Sequence, residues 1–141
     1  MSYVNVWIHA VWATKRRYPY LIPSIKDVVI DHIKENAIEK KIHIDSIDGA
    51  ADHMHCLICL NPTISISDTL QLIKGESSKW INDKILTPKK FIWQSKYYAE
   101  SVSPLEIEFV RNYIRNQEEH HRKRNTPDYY DKILKEMEKS E

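Results

Sequence analysis

The chain has 141 residues, of which 42% are hydrophobic and 29% charged, and its formal net charge is +1 at pH 7. This length is typical of one compact domain with a single core. Only two glycines occur, which excludes the glycine-rich phosphate loops of P-loop and dinucleotide-binding enzymes. No apolar run approaches the roughly 18 residues of a membrane span, and no secretion signal is recognisable at the N-terminus. The sequence therefore predicts a cytoplasmic protein that does not enter the membrane.

The first predicted element is a central strand. Apolar residues occupy both alternating faces of Tyr3–Thr14, which is typical of a strand buried on both sides. A basic, aromatic loop follows at 15–20. A helix capped by Ser24 is expected to run to about Lys41, because its apolar residues recur at helical spacing.

The remaining elements follow from the same periodicities. Ser67 and Asp68 can cap the second long helix, and Ser103-Pro104 is typical of a helix start, with a cap residue before a proline in the first turn. The predicted elements are strands over 42–49, 53–60 and 91–102, helices over 67–84 and 103–117 with Leu105 and Phe109 facing inwards, and a tail over 125–141 of loop and short helix.

The order of elements is strand, helix, strand, strand, helix, strand, helix. This order predicts an α+β fold with a ferredoxin-like antiparallel sheet (βαββαβ) and an additional C-terminal helix. We expect one domain over residues 1–124 and a separate tail over 125–141.

Cys56 and Cys59 have the CxxC spacing of redox and zinc sites. The residues between them are apolar and lie in the third predicted strand, where a three-residue spacing places the two thiols on opposite faces. We therefore expect two reduced, structural cysteines.

His53 and His55 are two residues apart on the same strand, so both imidazoles leave the same face. Their Cα atoms should be roughly 6 to 7 Å apart, a span over which two side chains can converge on one cation. Met54 is expected in the core, and Asp52 on the opposite face from the histidines. The spacing alone is weak evidence, since local hydrogen bonds would also satisfy two strand histidines.

Tyr113 and Gln117 are four residues apart on the last predicted helix, so they share one of its faces. His120 and His121 follow one turn later. Each residue has an ordinary structural interpretation, a core tyrosine and a solvated glutamine, and the pair alone defines no function.

The His53–His55 triplet and four further segments, in the same order, together resemble a known family. His53-Met54-His55 resembles the motif of the HUH endonucleases, and the 110–117 segment is similar to the Tyr-x-x-x-Gln helix of the IS200/IS605-type single-tyrosine transposases. The opening strand with its basic loop, 7–17, and the segments 72–78 and 91–94 are also similar to that family. The resemblance covers roughly Tyr3 to Arg124.

The resemblance implies a transposase that cleaves and rejoins single-stranded DNA at hairpin element ends through a 5′-phosphotyrosine. Tyr113 would be the nucleophile, and a divalent metal, Mg²⁺ or Mn²⁺, would be held by His53, His55 and Gln117. The family acts as homodimers whose active sites are completed in trans. Basic residues suited to phosphate contact are Lys15, Arg16, Arg17, Lys74, Lys79 and Arg111.

Other interpretations stay open. A replication initiator or relaxase of the HUH class, or a host-adapted relative of the transposases, would use the same chemistry. A catalytically silent single-strand nucleic-acid-binding module is possible on the same fold. A zinc hydrolase would need a third ligand such as His120 or Asp52.

Overall fold

The computed structural model describes residues 2–117 and 129–139. Its centre is a four-stranded antiparallel sheet in the order β2-β3-β1-β4. The strands are β1 (Trp7–Ala13), β2 (His43–Ala50), β3 (His53–Cys59) and β4 (Tyr98–Val102). The central place of β1 and the ferredoxin-like order of the sheet are as the sequence predicts.

Helices cover both faces of this sheet. They are α1 (Pro23–Glu39), α2 (Ile66–Asp83), α3 (Ile107–Arg115) and α4 (Tyr129–Glu138). Apolar residues of α1 and α2 share one core cluster with the sheet, whereas α3 and α4 contribute to two smaller clusters with it. Among the described residues, no helix is both long and apolar enough to cross a membrane.

Alternation along the central strands separates the two faces. Trp12 of β1 and Met54 and Cys56 of β3 lie in the large core under α1 and α2. Val11, the neighbour of Trp12, packs with Leu134 of α4 on the other face. Both cysteines are free, and burial raises the pKa of the Cys56 thiol, as expected for an unreactive structural cysteine.

Strand β1 is shorter than predicted, since it begins at Trp7 and not at Tyr3. Trp7 is the first residue of β1 and has the cross-strand partners Cys59 and Val102. Tyr3 is 92% exposed, because the chain before Trp7 has passed the ends of the neighbouring strands.

The first half of the predicted fourth strand is not a strand. Phe91 and Trp93 are buried in the main core, but the segment joins the sheet only through an isolated bridge between Trp93 and Thr14. The Asn82 side chain of α2 takes the place of a strand partner. It accepts from the Phe91 N–H at 2.7 Å and donates to the Phe91 carbonyl at 2.9 Å.

The predicted caps of α1 and α2 are wrong by two to three residues, since the observed cap positions are Ile22 and Ser65. Helix α1 begins at Pro23, so Ser24 lies inside it, because the fixed φ of proline is already suited to a first helical residue. Ser65 caps α2, and its hydroxyl accepts from the Asp68 N–H at 3.0 Å.

Two of the apolar residues predicted to face inwards from the last helix do not. Leu105 and Phe109 are 95% and 74% exposed. Ser103 and Pro104 start a short 3-10 turn, Pro104–Glu106, before α3 begins. The change of helical pitch rotates Leu105 away from the face on which Ile114 packs.

Candidate active site

The two strand histidines are almost fully buried on the face covered by α3 and α4. His53 is 1% exposed and His55 is inaccessible to solvent. Their ring centroids lie 5.1 Å apart with the planes at 71°. The strand geometry thus brings both imidazoles to one face, while Met54 between them enters the opposite core.

His53 is held by the residue before it. Its Nδ1 lies 2.8 Å from Oδ1 of Asp52, and Arg17 Nε donates to the other carboxylate oxygen at 3.1 Å. Burial alone would raise the pKa of Asp52, but its hydrogen bond with His53 and the nearby charges lower it below its ordinary value. The prediction that Asp52 lies away from the histidines is wrong, because the tight β2–β3 turn directs its carboxylate to His53.

His55 is held by a residue that the sequence reasoning missed. His55 Nδ1 lies 2.9 Å from Nε2 of His9 on β1, and His9 Nδ1 lies 3.1 Å from Oε1 of Glu100 on β4. The register explains the contact, because Glu100 is the direct cross-strand partner of His9. His9 is fully buried, and a histidine in an otherwise apolar central strand was the available signal, since buried polar groups need partners.

Tyr113 lies beside this pair of histidines in the same chain. Its ring centroid is 5.6 Å from that of His55 and 6.3 Å from that of His9. Arg111 anchors the helix by donating to both oxygens of Asp45 on β2 at 2.8 and 2.7 Å. The hydrogen bonds from Arg111 lower the pKa of Asp45.

Gln117 follows α3 and is completely buried. Its Nε2 donates to the Tyr113 carbonyl at 3.2 Å. No hydrogen bond reaches its side-chain oxygen from the residues that the structure describes. His120, His121 and the predicted boundary between residues 124 and 125 lie outside the described residues.

A second tyrosine, absent from the sequence-based prediction, also enters the site. Tyr130 of α4 donates from its hydroxyl to Oε1 of Glu100 at 2.5 Å. Its ring centroid lies 4.8 Å from that of His9 and 5.2 Å from that of His55. Burial and the neighbouring Glu100 carboxylate raise the pKa of the Tyr130 hydroxyl.

His53, His55 and Gln117 offer two imidazole nitrogens and one amide oxygen, which are donor types that suit a divalent metal. When Asp52 and His9 accept from the Nδ1–H groups of His53 and His55, Nε2 is the ring nitrogen of each that can bind a metal. Gln117 adds a buried amide oxygen without a hydrogen-bond partner among the described residues, and a metal would satisfy it. Asp52 is already shared by His53 and Arg17, which disfavours the third-ligand role that a zinc hydrolase would require. Within the described ranges, no group of three or more His, Cys, Asp or Glu could hold a metal.

Part of the basic loop after β1 lines an open cleft of about 340 Å³. Tyr18 and Tyr20 stack in it with ring centroids 4.9 Å apart and planes at 25°. Arg16 and Arg17 both have a φ of 57°, a conformation that non-glycine residues seldom adopt. The residues lining the cleft are Lys15, Arg16, Tyr18, Tyr20, Lys90 and Ile92.

The other basic residues predicted to contact phosphate differ in the protein groups that they already bind. Lys74 donates to the carbonyls of Gln94 and Lys96 at 2.7 and 3.1 Å, and burial lowers its pKa to about 8. Lys79 is exposed and pairs with Asp83 at 2.7 Å. Lys74 and Arg111 therefore already have structural roles, while the two lysines and the two tyrosines that line the open cleft face the space that a ligand could enter.

The buried histidine pair and the adjacent helix tyrosine, on a ferredoxin-like sheet, suit the class of transposases that use a tyrosine. The profile of the family described as "Transposase IS200 like" matches residues 2–117, and the chain belongs to this family. It is thus a transposase of the IS200-like family. Helix α4, which carries Tyr130, lies beyond the matched residues.

Individual relatives agree with this assignment. The chain is 24% identical to the ISDra2 transposase TnpA of Deinococcus radiodurans, over 77% of this chain and 81% of that one. It is 25% identical to the transposase for insertion sequence element IS200 of Salmonella typhimurium, over 80% of this chain and 77% of that one.

Two solved structures share the fold. One is the crystal structure of a Deinococcus radiodurans protein described as a transposase, with a TM-score of 0.66 and 24% identity over 83% of this chain and 95% of that one. The other is a tyrosine transposase associated with REP sequences, bound to a REP hairpin, with a TM-score of 0.64 and 15% identity over 86% of this chain and 72% of that one.

Proposed function

We propose that this transposase is metal-dependent and that it cleaves and rejoins single-stranded DNA at hairpin element ends through a 5′-phosphotyrosine on Tyr113. The observation that carries the proposal is the 5.6 Å separation between the rings of Tyr113 and His55. These residues come from segments nearly sixty residues apart and meet in one buried polar site.

In the proposed reaction, the Tyr113 oxygen attacks the scissile phosphorus. A bond between tyrosine and phosphorus forms, the bond from phosphorus to the 3′ oxygen breaks, and the leaving strand takes a proton to become a 3′ hydroxyl. A second 3′ hydroxyl can then attack the phosphotyrosine and restore the tyrosine. One phosphodiester replaces another, so the cycle needs no external energy source.

The tyrosine needs assistance, because the ordinary pKa of its hydroxyl is about 10. Mg²⁺ or Mn²⁺ held by His53, His55 and Gln117 would polarise the phosphoryl oxygen and neutralise developing charge. The Asp52 and His9 hydrogen bonds orient the rings before any ligand arrives.

The proposed substrate is single-stranded DNA with a hairpin, and the REP hairpin bound to the structural neighbour supports this class of ligand. The cleft that includes Lys15 and Arg16 combines positive charge with the stacked rings of Tyr18 and Tyr20. Cations beside aromatic faces suit backbone contact together with base stacking. Lys79 would extend this track, and a cytoplasmic location would accompany the function.

A labelled hairpin strand tests the proposal directly. The protein is incubated with the strand and Mg²⁺ or Mn²⁺, and a covalent adduct is sought on a denaturing gel. Tyr113→Phe should remove the adduct, whereas the control Tyr3→Phe should not, since Tyr3 is 92% exposed and is not one of the residues of the proposed site. An adduct that survives in Tyr113→Phe would refute the assignment, and DNA binding without cleavage by the unmodified protein would favour a silent binding module.

The proposed homodimer has sites completed in trans, although Tyr113 lies beside His55 of its own chain. Mixing Tyr113→Phe with His55→Ala distinguishes the arrangements. In trans, a mixed dimer contains one site with both residues intact, and activity returns. In cis, every site lacks one residue, and the mixture stays inactive.

A further inference from the structure

Two hydrogen-bond chains run from neighbouring residues of α4 to the two strand histidines. The first starts at Tyr130 and ends at His55, and the second starts at Asp131 and ends at His53. We propose that α4 is a positioning element for the metal ligands, acting through Tyr130 and Asp131. The inference rests on the proposed metal site, and it gives a role to a helix outside the residues matched by the family profile.

The first chain permits one arrangement of protons when the rings are neutral. A carboxylate only accepts hydrogen bonds, so His9 donates to Glu100 from Nδ1 at 3.1 Å. The Nε2 of His9 then accepts from His55 Nδ1 at 2.9 Å. His55 therefore keeps a lone pair on Nε2, the nitrogen that a metal would use. Tyr130 holds Glu100 in place by donating to the same oxygen that His9 uses.

The second hydrogen-bond chain also ends on a histidine Nδ1, and Arg17 lies in its middle between two carboxylates. Arg17 donates to Asp131 Oδ1 at 3.3 Å and to Asp52 Oδ2 at 3.1 Å. Asp52 accepts from His53 Nδ1 at 2.8 Å through its other oxygen. The Nε2 of His53 thus also keeps its lone pair.

The packing of α4 connects the two hydrogen-bond chains. Leu134 of α4 is fully buried against Val11 and Ala13 of β1. Since Tyr130 and Asp131 precede it by one helical turn, docking of Leu134 places both polar groups over the sheet at once. Four charged side chains take part in the two hydrogen-bond chains, and they are 18 to 32% exposed: Arg17, Asp52, Glu100 and Asp131. Solvent therefore screens these charges only in part.

The test measures Mn²⁺ affinity of the full chain by titration calorimetry. Partners of metal ligands typically contribute 10- to 100-fold in affinity, so we expect Tyr130→Phe and Glu100→Ala each to weaken binding by roughly 10-fold or more. Asp131→Asn should weaken binding less, because its contact with Arg17 is longer. The matched control is Tyr129→Phe. It removes a neighbouring hydroxyl that is bonded to Tyr98, and it removes no member of either hydrogen-bond chain.

A second measurement does not require metal. Nitrogen-15 NMR of the histidine rings, at a mildly alkaline pH, reports which ring nitrogen carries the proton. We expect the Nδ1–H form of His55 in the unmodified protein and in Tyr129→Phe, and a mixture of both forms in Glu100→Ala. The spectra also show whether each variant is folded.

The outcomes separate the two proposals. If Mn²⁺ binds equally well to all variants and the His55 proton does not move, α4 is not a positioning element, and the metal site stands. If the unmodified protein binds no Mn²⁺, the metal site is refuted, and the spectra then decide the inference: an unchanged His55 overturns it, and a redistributed proton supports the hydrogen-bond chain.

Discussion

The two faces of the sheet are both buried, but within the described part of the chain only the face under α3 and α4 buries histidines among its apolar residues. Under α1 and α2 the strands present Trp12, Met54 and Cys56, which need only close packing. Under α3 and α4 the alternate residues include His9 and His55, which need hydrogen-bond partners from distant segments. One strand thus serves both purposes, because its successive side chains leave on opposite sides. Substitutions at neighbouring positions of a strand should therefore have different effects, on activity at one face and on stability at the other.

The largest expected effect is the loss of activity in His55→Ala. Removal of a ligand should lower formation of the covalent DNA adduct by at least about 100-fold, and Mn²⁺ binding should weaken in parallel. The free energy of unfolding should change much less than activity does. Adduct gels and calorimetry check this, and a fully active His55→Ala would remove the functional distinction between the faces.

Met54→Ala, at the adjacent position, should show the opposite behaviour. Met54 is fully buried in the apolar core, and large-to-alanine changes there typically cost about 2 to 5 kcal/mol. Urea unfolding should show this loss, while the folded fraction of the variant should still bind Mn²⁺. Lost metal affinity with unchanged stability would contradict the assignment of Met54 to packing alone.

Lys74 provides a pH test on the apolar side of the sheet. Burial lowers its pKa to about 8, below the value of about 10.4 expected in the unfolded chain. The folded state therefore binds fewer protons in this range, and stability should rise as pH increases from about 8 to 10.4. Unfolding of the wild-type protein and Lys74→Met, compared across this range, should show the rise in the wild type only. A parallel pH dependence in both proteins would contradict the buried environment of Lys74.

The smallest effect on stability is expected on the face of the sheet that α3 covers, at the ion pair between Asp45 and Arg111. The hydrogen bonds from Arg111 lower the pKa of Asp45, so the pair stabilises the fold above the unfolded-state pKa of about 3.9. This contribution should fade as pH falls through the lower, folded-state pKa. Asp45→Asn should be slightly less stable than wild type at neutral pH, and the difference should vanish in acid. A difference that persists in acid would mean that packing and not charge is responsible.

Much of the fold was predictable from local patterns. The two-face alternation of β1 identified a central strand, and the spacing of His53 and His55 placed both imidazoles on one side. Boundaries were predicted less well where a distant group replaced a local partner. Asn82 binds the backbone of Phe91 in place of a strand, and this contact leaves no periodic signal.

The candidate site divides in the same way. Tyr113, Gln117 and the two strand histidines were found because each pair lies within four residues and matches a family motif. His9, Glu100 and Tyr130 were not found, because their association depends on strand register and on the docking of α4. Residues 91 positions apart, such as His9 and Glu100, share no short-range pattern.

The sequence by itself determined the alternation of the strands, the family and the residue types available for chemistry, since these follow from composition and short spacings. Only the tertiary structure decided which of those residues meet. It brought Tyr113 beside His55, assigned Asp52 to orienting His53, and placed Tyr130 over Glu100. The physical reason is that a buried polar group must find its partner wherever the packed chain puts one, and that position is set by the register of the sheet and the docking of the helices.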